Sequence, residues 1–592
     1  MSLIFEVSFE CGNKVGGIWK VITSKSKEMK KRFGNEYFTV GFFNPKNYVN
    51  EFSDKNPPAW LKKIFDELRK EKIICYYGEW TEANDVQLIL VDSKEFENDN
   101  VNDIKKELWE KYKIDSLNTG NDFNTPIAWS YAVGKLLEKI SRKKDVVAHF
   151  HEWLSGAGLL YLKMNNVPVP TVFTTHATSF GRAKTLFLPK EEVKERVPLE
   201  EVYKYGVAAK HLTEVACANN ADVFTTVSEV MKNEVIYVLG KKPDIITVNA
   251  LDFSNIPSID EIQQLNYKLR KKADEFIRAY FSPYYPIDLK NYPIIFTSGR
   301  YEFFNKGFDL FIDSIGELNK RLKGTKNLVV VFIFVPTGII GPKDEVVDNI
   351  MTYRRIGEIL EEEWEKIKNK IISELPLIDA IEASDIVPKK PLEEIRKNIE
   401  RARRRRGLTP PLSAFELAYK EDDDMIIKRL KENGLLNRES DRVKVIFYPL
   451  YLSKMDALLG MDYTEAVIAS SVGVFLSRYE PFGYTPLETA AYATISITSD
   501  YSGFGRFILK STKNPMGLFV VDAVEKSNEE IVKQTADILE KITKMDKEKR
   551  IEMEISARKM AEKCSWDKNI NNYIKAYNLA TKRLKKSISP TS

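Results

Sequence analysis

The chain of 592 residues is poor in cysteine and histidine, with four of each. Cys11, Cys75, Cys217 and Cys564 are scattered, without the close spacings of metal sites or disulfide frameworks. That usage fits a reducing compartment, the cytoplasm. Long apolar runs are also missing. The longest, Leu328–Pro336, falls well short of a bilayer span and reads as a buried strand. Strand-like Ile4-Phe5-Glu6-Val7 follows Met1 almost directly, which leaves no room for a signal peptide. No charge sign dominates: 90 Lys and Arg against 85 Asp and Glu give +5, which argues against nucleic acid as a partner. The dinucleotide fingerprint is absent, because the first glycine turn has no third glycine.

What remains is 43% hydrophobic and 30% charged, the composition of a large globular protein, and too long for one core. Short β-rich runs alternate with helical patterns in two blocks. The first holds strands at Ile4–Phe9, Val146–His149, Thr171–Thr175, Asp222–Thr226 and Ile245–Asn249, with helices from Trp19, at Leu154–Met164 and at Ser228–Leu239. The second opens at Pro293–Ser298 and a helix Phe308–Leu322, then Val329–Val335, Val443–Phe447, Val472–Leu476, Ile495–Thr498 and Leu518–Val521. Such alternation predicts an α/β protein of parallel, doubly wound sheets, with sites at their carboxyl ends. A hinge is expected in Pro257–Asp288. Between Asp344 and Arg442 the alternation gives way to charged helix, read as an insertion (Ile356–Ile372, Leu392–Arg406, Asp424–Asn433). Its Arg403–Arg406 run reads as a solvated or partner-facing surface answered by Glu421–Asp424, with phosphate or RNA as the sharper alternative.

Four stretches carry chemistry. Asn13-Lys14-Val15-Gly16-Gly17 follows the first strand; glycines let backbone approach a diphosphate and Lys14 brings a mobile charge. His149, His151 and His176 lie at strand ends; no ligand spacing supports a metal, and His149 fits a packed core as well as a ligand. His176, close to Gly181-Arg182, is the better substrate contact. Gly299-Arg300-Tyr301-Glu302 with Asn305-Lys306-Gly307 places two cations on one turn, suited to a diphosphate, against a plain salt bridge to Glu302. Lastly, Glu480 and Glu488 bracket Pro481-Phe482-Gly483-Tyr484-Thr485-Pro486, a loop that opens a helix, with Thr485 at the N-cap and Pro486 as first helical residue. Helix N-termini bind anions and acids hold hydroxyls, which together describe a nucleotide sugar. Two acids also suggest a glycosidase pair, but a hydrolase of neutral glycan has no use for Lys14, Arg300 and Lys306.

Taken in order, these stretches resemble the eukaryotic-type glycogen synthases (glycosyltransferase family 3), in a short form of prokaryotic or archaeal kind. The likeness includes His149-Phe150-His151-Glu152-Trp153, Thr174-Thr175-His176-Ala177-Thr178 with Gly181-Arg182, Ala221-Asp222-Val223-Phe224-Thr225-Thr226-Val227-Ser228 and Ser502-Gly503-Phe504-Gly505. The resemblance implies a GT-B fold of two facing Rossmann-like domains: 1–280, 281–565 with a helical oligomerisation insert at about 344–442, and a final helix, 566–592, crossing back. It implies transfer of glucose from UDP-glucose, or ADP-glucose, to glycogen or a maltooligosaccharide, without metal or other cofactor and without a membrane. Lys14 and Arg300 would bind the nucleotide phosphates, with Lys306 beside them. His176 and Arg182 would contact the sugar or an acceptor-side charge. Glu480 would lie nearest the sugar, Gly16, Gly17, Phe482, Gly483, Tyr484 and Thr485 would line the donor pocket, and Glu488 would hold the ribose hydroxyls. Phe482 departs from the family motif, which has Trp. Family members controlled by glucose 6-phosphate carry an arginine-rich helix and histidines that have no counterpart in the matching stretches here, which implies weak or no such activation.

Overall fold

The computed structural model describes residues 2–374 and 389–588, apart from the single positions 47, 187, 192, 194 and 514. The first block forms a nine-stranded sheet. Its strands are β1 (Leu3–Val7), β2 (Tyr37–Phe42), β3 (Phe52–Asp54), β4 (Ile74–Trp80), β5 (Val86–Asp92), β6 (Val146–His151), β7 (Thr171–Thr175), β8 (Val223–Thr226) and β9 (Ile245–Ile246). They lie in the order β3-β4-β5-β2-β1-β6-β7-β8-β9. The sheet is parallel from β5 through β2 to β9, as the alternation predicts. The edge is not: β3 and β4 run antiparallel, a departure from the purely parallel expectation. The central strands are buried along their whole length, β6 and β7 included, because helices cover both faces.

The second block forms a six-stranded parallel sheet. Its strands are β10 (Ile294–Ser298), β11 (Val329–Phe334), β14 (Val443–Phe447), β15 (Val472–Phe475), β16 (Ile495–Ser499) and β17 (Leu518–Val521). Their order is β14-β11-β10-β15-β16-β17. Two strands, β12 (Ile339–Pro342) and β13 (Phe415–Leu417), pair antiparallel at the root of the insertion. The helix Phe308–Leu322 buries the apolar stripe Phe308, Phe311, Ile312, Ile315, Leu318 and Leu322. The helix Ile259–Phe281, within the expected hinge, packs Ile262, Phe276, Ile277 and Tyr280 into the same core as Phe296, Val330 and Tyr448 of the second sheet.

The insertion is narrower than the sequence suggests. Helices Asp344–Glu374 and Lys389–Arg403 project together. From Leu412 the chain returns to the second lobe, where the helix Met425–Glu432 buries Ile426, Ile427 and Leu430. Arg429 forks onto Asp313 at 2.7 and 2.6 Å. The arginine run is not answered by residues 421–424. Arg405 instead pairs with Glu345 and Asp348, while Glu421 binds Lys343, Asp422 binds Lys431 and Asp424 caps the next helix. Helical geometry decides this: an antiparallel neighbour lies nearer than a segment beyond the turn.

The last helix, Asn571–Ile588, lies on β6–β9 of the first sheet and buries Tyr573, Ala576, Tyr577 and Ala580 at helical spacing. Just before it, Trp566 Nε1 donates to Ser24 Oγ at 2.8 Å. The chain therefore ends where it began, tying the two lobes. Among the described residues no helix is long and apolar enough to cross a membrane.

Candidate active site

The carboxyl end of the second sheet gathers two loops. Gly307, in the left-handed region at φ +66°, starts the helix Phe308–Leu322. A Cβ there would sit 2.0 Å from the Leu476 carbonyl oxygen, so only glycine lets this loop press against the end of β15. The contact is zipped further along: Arg478 N–H donates to the Asn305 carbonyl at 2.9 Å, and its guanidinium forks onto Asp309 at 2.6 and 2.7 Å. The outcome is that Lys306 Nζ lies 2.8 Å from Glu480 Oε2, both side chains about one-fifth exposed. The sequence places both residues at the site, and the fold joins them.

Beyond Glu480 the chain turns at Gly483, φ +103°, and the helix Tyr484–Ala491 begins. This corrects the expected cap at Thr485 and first helical residue at Pro486. Glycine alone takes that backbone geometry, so it becomes the N-cap, and Pro486 is tolerated in the first turn, where its missing N–H has no partner to lose. Phe482 is buried and packs edge-on to Tyr484. The loop meets the first lobe directly. Ser228 Oγ donates to the Pro481 carbonyl at 2.6 Å, Tyr479 OH to Glu234 at 2.9 Å and Tyr484 OH to the Ala250 carbonyl at 3.3 Å. Glu488 pairs with Lys20 at 3.1 Å. The lobes are thus in contact around the motif.

On the first lobe, Lys14 is exposed, with its ammonium 4.8 Å from the Trp19 ring centre. Arg300, on the second lobe, is exposed and paired with Glu302 at 2.7 Å, the salt bridge weighed against a phosphate role. Lys14 and Arg300 do not touch each other. The Gly16-Gly17 turn is approached by an acid: Glu10 Oε2 accepts the Trp19 N–H at 2.7 Å at the start of the helix Gly17–Phe33. A Cβ on Gly16 would lie 2.4 Å from Glu10 Oε1. Burial pushes the Glu10 carboxyl up, opposed by the helix amides and Arg182.

Arg182 stands in a short helix, Ser179–Lys184, capped by Thr178. Three buried carboxylates surround its base. Glu152 accepts the N–H groups of His176 and Ala177 at 2.7 and 3.0 Å, Glu234 the N–H and hydroxyl of Thr178, and Glu214 the N–H of Ser179. Burial raises all three, Glu152 to about 7, with Arg182 pulling Glu152 and Glu234 back. Glu152 itself is held at φ +64°, a left-handed strain that aims its side chain at the β7 turn. Sequence reading missed Glu10, Glu214 and Glu234, which carry no local signal. Glu152 lies within the His149–Trp153 motif and was legible there.

His176 is buried at the end of β7, its Nε2 2.9 Å from His151 Nδ1. His151 Nε2 reaches Glu6 Oε1 at 2.7 Å, and Glu6 also takes Lys25 and the Tyr37 hydroxyl. His149 Nε2 meets Thr174 Oγ1 at 2.7 Å and its Nδ1 meets Tyr577 OH at 3.1 Å. Glu6, His149 and His151 bring possible ligand atoms within 4.8 Å of one another. The Lys25 ammonium already sits on that carboxylate, so a cation there would face a like charge in a dry interior.

A family model described as glycogen synthase matches residues 6–588. The chain is 31% identical to the glycogen [starch] synthase of Neurospora crassa, covering 98% of this chain and 84% of that one. It is likewise 31% identical to glycogen [starch] synthase isoform 2 of Saccharomyces cerevisiae, over 98% and 86%. With such coverage of eukaryotic enzymes, the expected short prokaryotic form finds no support. The solved catalytic domain of starch synthase IV from Arabidopsis thaliana, bound to ADP and acarbose, superposes with a TM-score of 0.51 at 13% identity, over 98% of this chain and 99% of that one. That likeness gives the fold, GT-B, and the two sheets above are its two Rossmann-like domains. An enzyme of this kind is a glycosyltransferase that uses a nucleotide-sugar donor and a glucan acceptor, and the chain belongs to the glycogen synthase family.

Proposed function

We propose that this glycogen synthase transfers glucose from UDP-glucose to the non-reducing 4-hydroxyl of an α-1,4-glucan, with retention of configuration. The observation that carries the reading is the Lys306–Glu480 pair, seated where the first lobe reaches across to Pro481. Departure of a diphosphate leaves negative charge on the leaving group and positive charge at the anomeric carbon. Lys306, Arg300, Lys14 and the N–H groups opening the helix Tyr484–Ala491 serve the departing anion; Glu480 steadies the sugar. One preorganised donor of this sort is worth ~3 kcal/mol in the transition state. Arg300 leaves Glu302 at little cost, because an exposed pair of this kind is worth about 0–1 kcal/mol. Glu488 holds the ribose hydroxyls, His176 and Arg182 face the sugar or acceptor, and Gly16, Gly17, Phe482, Gly483, Tyr484 and Thr485 line the donor pocket. Lysine and arginine neutralise the diphosphate, so the reaction takes no metal. Contact between the lobes keeps out water that would hydrolyse the donor.

The same clamp suits ADP-glucose, and only the pocket for the base separates the donors. Incubation with UDP-glucose and ADP-glucose in competition, plus glycogen, with the released nucleotide recorded, tests the reading. Release of UDP with glucan growth supports it. ADP alone transfers the proposal to the other donor, and no nucleotide release with retained glucan binding points to a silent scaffold.

Assembly into a homo-oligomer runs through the insertion, where Leu360 and Trp364 stand one turn apart and are 55% and 66% exposed. Trp364→Glu should lower the mass measured by light scattering. The four cysteines are free and buried, which suits work in the cytoplasm. Glucose 6-phosphate should raise activity little; a many-fold rise on titration overturns that.

A further inference from the structure

We infer that Glu6, acting through His151, fixes the tautomer of His176, so that the His176 ring meets its ligand as a hydrogen-bond acceptor at Nδ1. The argument follows the protons. Glu6 Oε1 receives Lys25 Nζ, and Oε2 receives the Tyr37 hydroxyl. A carboxylate so surrounded by donors is ionised and accepts only. Its pKa is accordingly lowered well below the usual range: Lys25 and His151 outweigh the burial that would raise it. His151 Nε2, 2.7 Å away, must therefore carry its hydrogen. Burial keeps the His151 and His176 rings neutral, which leaves His151 Nδ1 a bare lone pair. The atom facing that lone pair at 2.9 Å is His176 Nε2, which must donate. A neutral imidazole has one hydrogen, so His176 Nδ1 has none.

That nitrogen is the one left for a ligand. The described residues offer it no hydrogen-bond partner, and the residue keeps 8% of its surface open at the carboxyl end of β7. An acceptor there welcomes a hydroxyl and repels a phosphate oxygen. Glu6 is thus a positioning residue. The tautomer stands on the chain of buried contacts together with the burial that keeps both rings neutral, and the identity of the hydroxyl as one of a hexose rests on the proposed donor.

The test uses the full chain with nitrogen-15 histidine, where four rings make a readable long-range proton–nitrogen spectrum. His176→Asn identifies the His176 ring by its loss, and His151→Phe does the same for His151. The expected result is His151 and His176 both protonated at Nε2 with pyridine-like Nδ1; a His176 ring protonated at Nδ1 overturns the inference. In Glu6→Gln, and in His151→Phe, which cuts the relay while filling the space, the His176 nitrogens should move towards averaged shifts. A fixed, unchanged tautomer in either folded variant removes Glu6 from the scheme, and if one fails to fold the other decides. Adding UDP-glucose should move Nδ1 while UDP alone leaves it. An equal shift with UDP overturns the acceptor role. No shift with either counts against the donor reading alone, with the tautomer standing.

Discussion

Lys306 Nζ and Glu480 Oε2 lie 2.8 Å apart across 174 positions of sequence, and each is the other's only charged partner among the described residues. The pairing holds a cation and an acid side by side at the carboxyl end of the second sheet. Lys306→Met and Glu480→Gln should each lower elongation about a hundredfold or more, the scale of one lost transition-state contact of ~3 kcal/mol. Arg300→Ala should act similarly while the unfolding midpoint stays near that of the parent, since the Arg300–Glu302 pair is exposed. Near-normal turnover of Glu480→Gln would remove it from the mechanism.

Glu488 faces a different trial. If it holds the ribose, it binds donor and transition state alike, so Glu488→Ala should raise the donor KM about tenfold, some 1.4 kcal/mol, with kcat little changed. Its partner Lys20 is 42% exposed in its side chain, and Lys20→Ala should change the unfolding free energy by less than about 1 kcal/mol. A fall in kcat with KM unchanged for Glu488→Ala would assign it to the reacting centre.

Glu152 makes stability depend on pH. Burial raises its folded pKa from 4.5 to about 7. The folded state holds the proton more tightly, so this contribution is complete below pH 4.5 and is lost as pH climbs through about 7. A shift of that size corresponds to about 3 kcal/mol at most. Glu152→Gln should flatten the decline, gaining on the parent between pH 5 and 7 and holding a constant difference above. Parallel stability curves for the two proteins across that window would show that Glu152 does not titrate there.

Gly307 should tolerate no side chain. Alanine would need the left-handed backbone, costing about 1–2 kcal/mol, and its Cβ would meet the Leu476 carbonyl oxygen at 2.0 Å. Gly307→Ala is expected to lose activity along with stability, because the loop that carries Lys306 must lift from β15. A Gly307→Ala enzyme with full kcat and parent stability would mean that the two loops are not coupled.

Much of this architecture is legible in the residues. The helix Phe308–Leu322 and the strand Val443–Phe447 have the bounds expected from apolar spacing, because long periodic stripes and flanked apolar runs leave little choice. The stretch between Phe33 and Val146 was not read. At its edge β3 has only three residues, and β4, half-exposed, mixes two tyrosines, a glycine and a glutamate among its apolar positions, so alternation is blurred there. The helix Tyr484–Ala491 begins earlier than Thr485 because a glycine backbone, not a hydroxyl cap, sets its start.

By itself the sequence determined the alternation of strands and helices, the two blocks, and the cations and acids placed at strand ends, since these depend on local spacing and on which residue types suit a phosphate or a hydroxyl. Only the tertiary structure decided which of them meet. It set Lys306 on Glu480, Lys20 on Glu488, and Glu6 behind His151 and His176. Those contacts come from strand order and from loops packed at the carboxyl ends of the sheets, and their partners are too far apart in the chain for any local pattern to show.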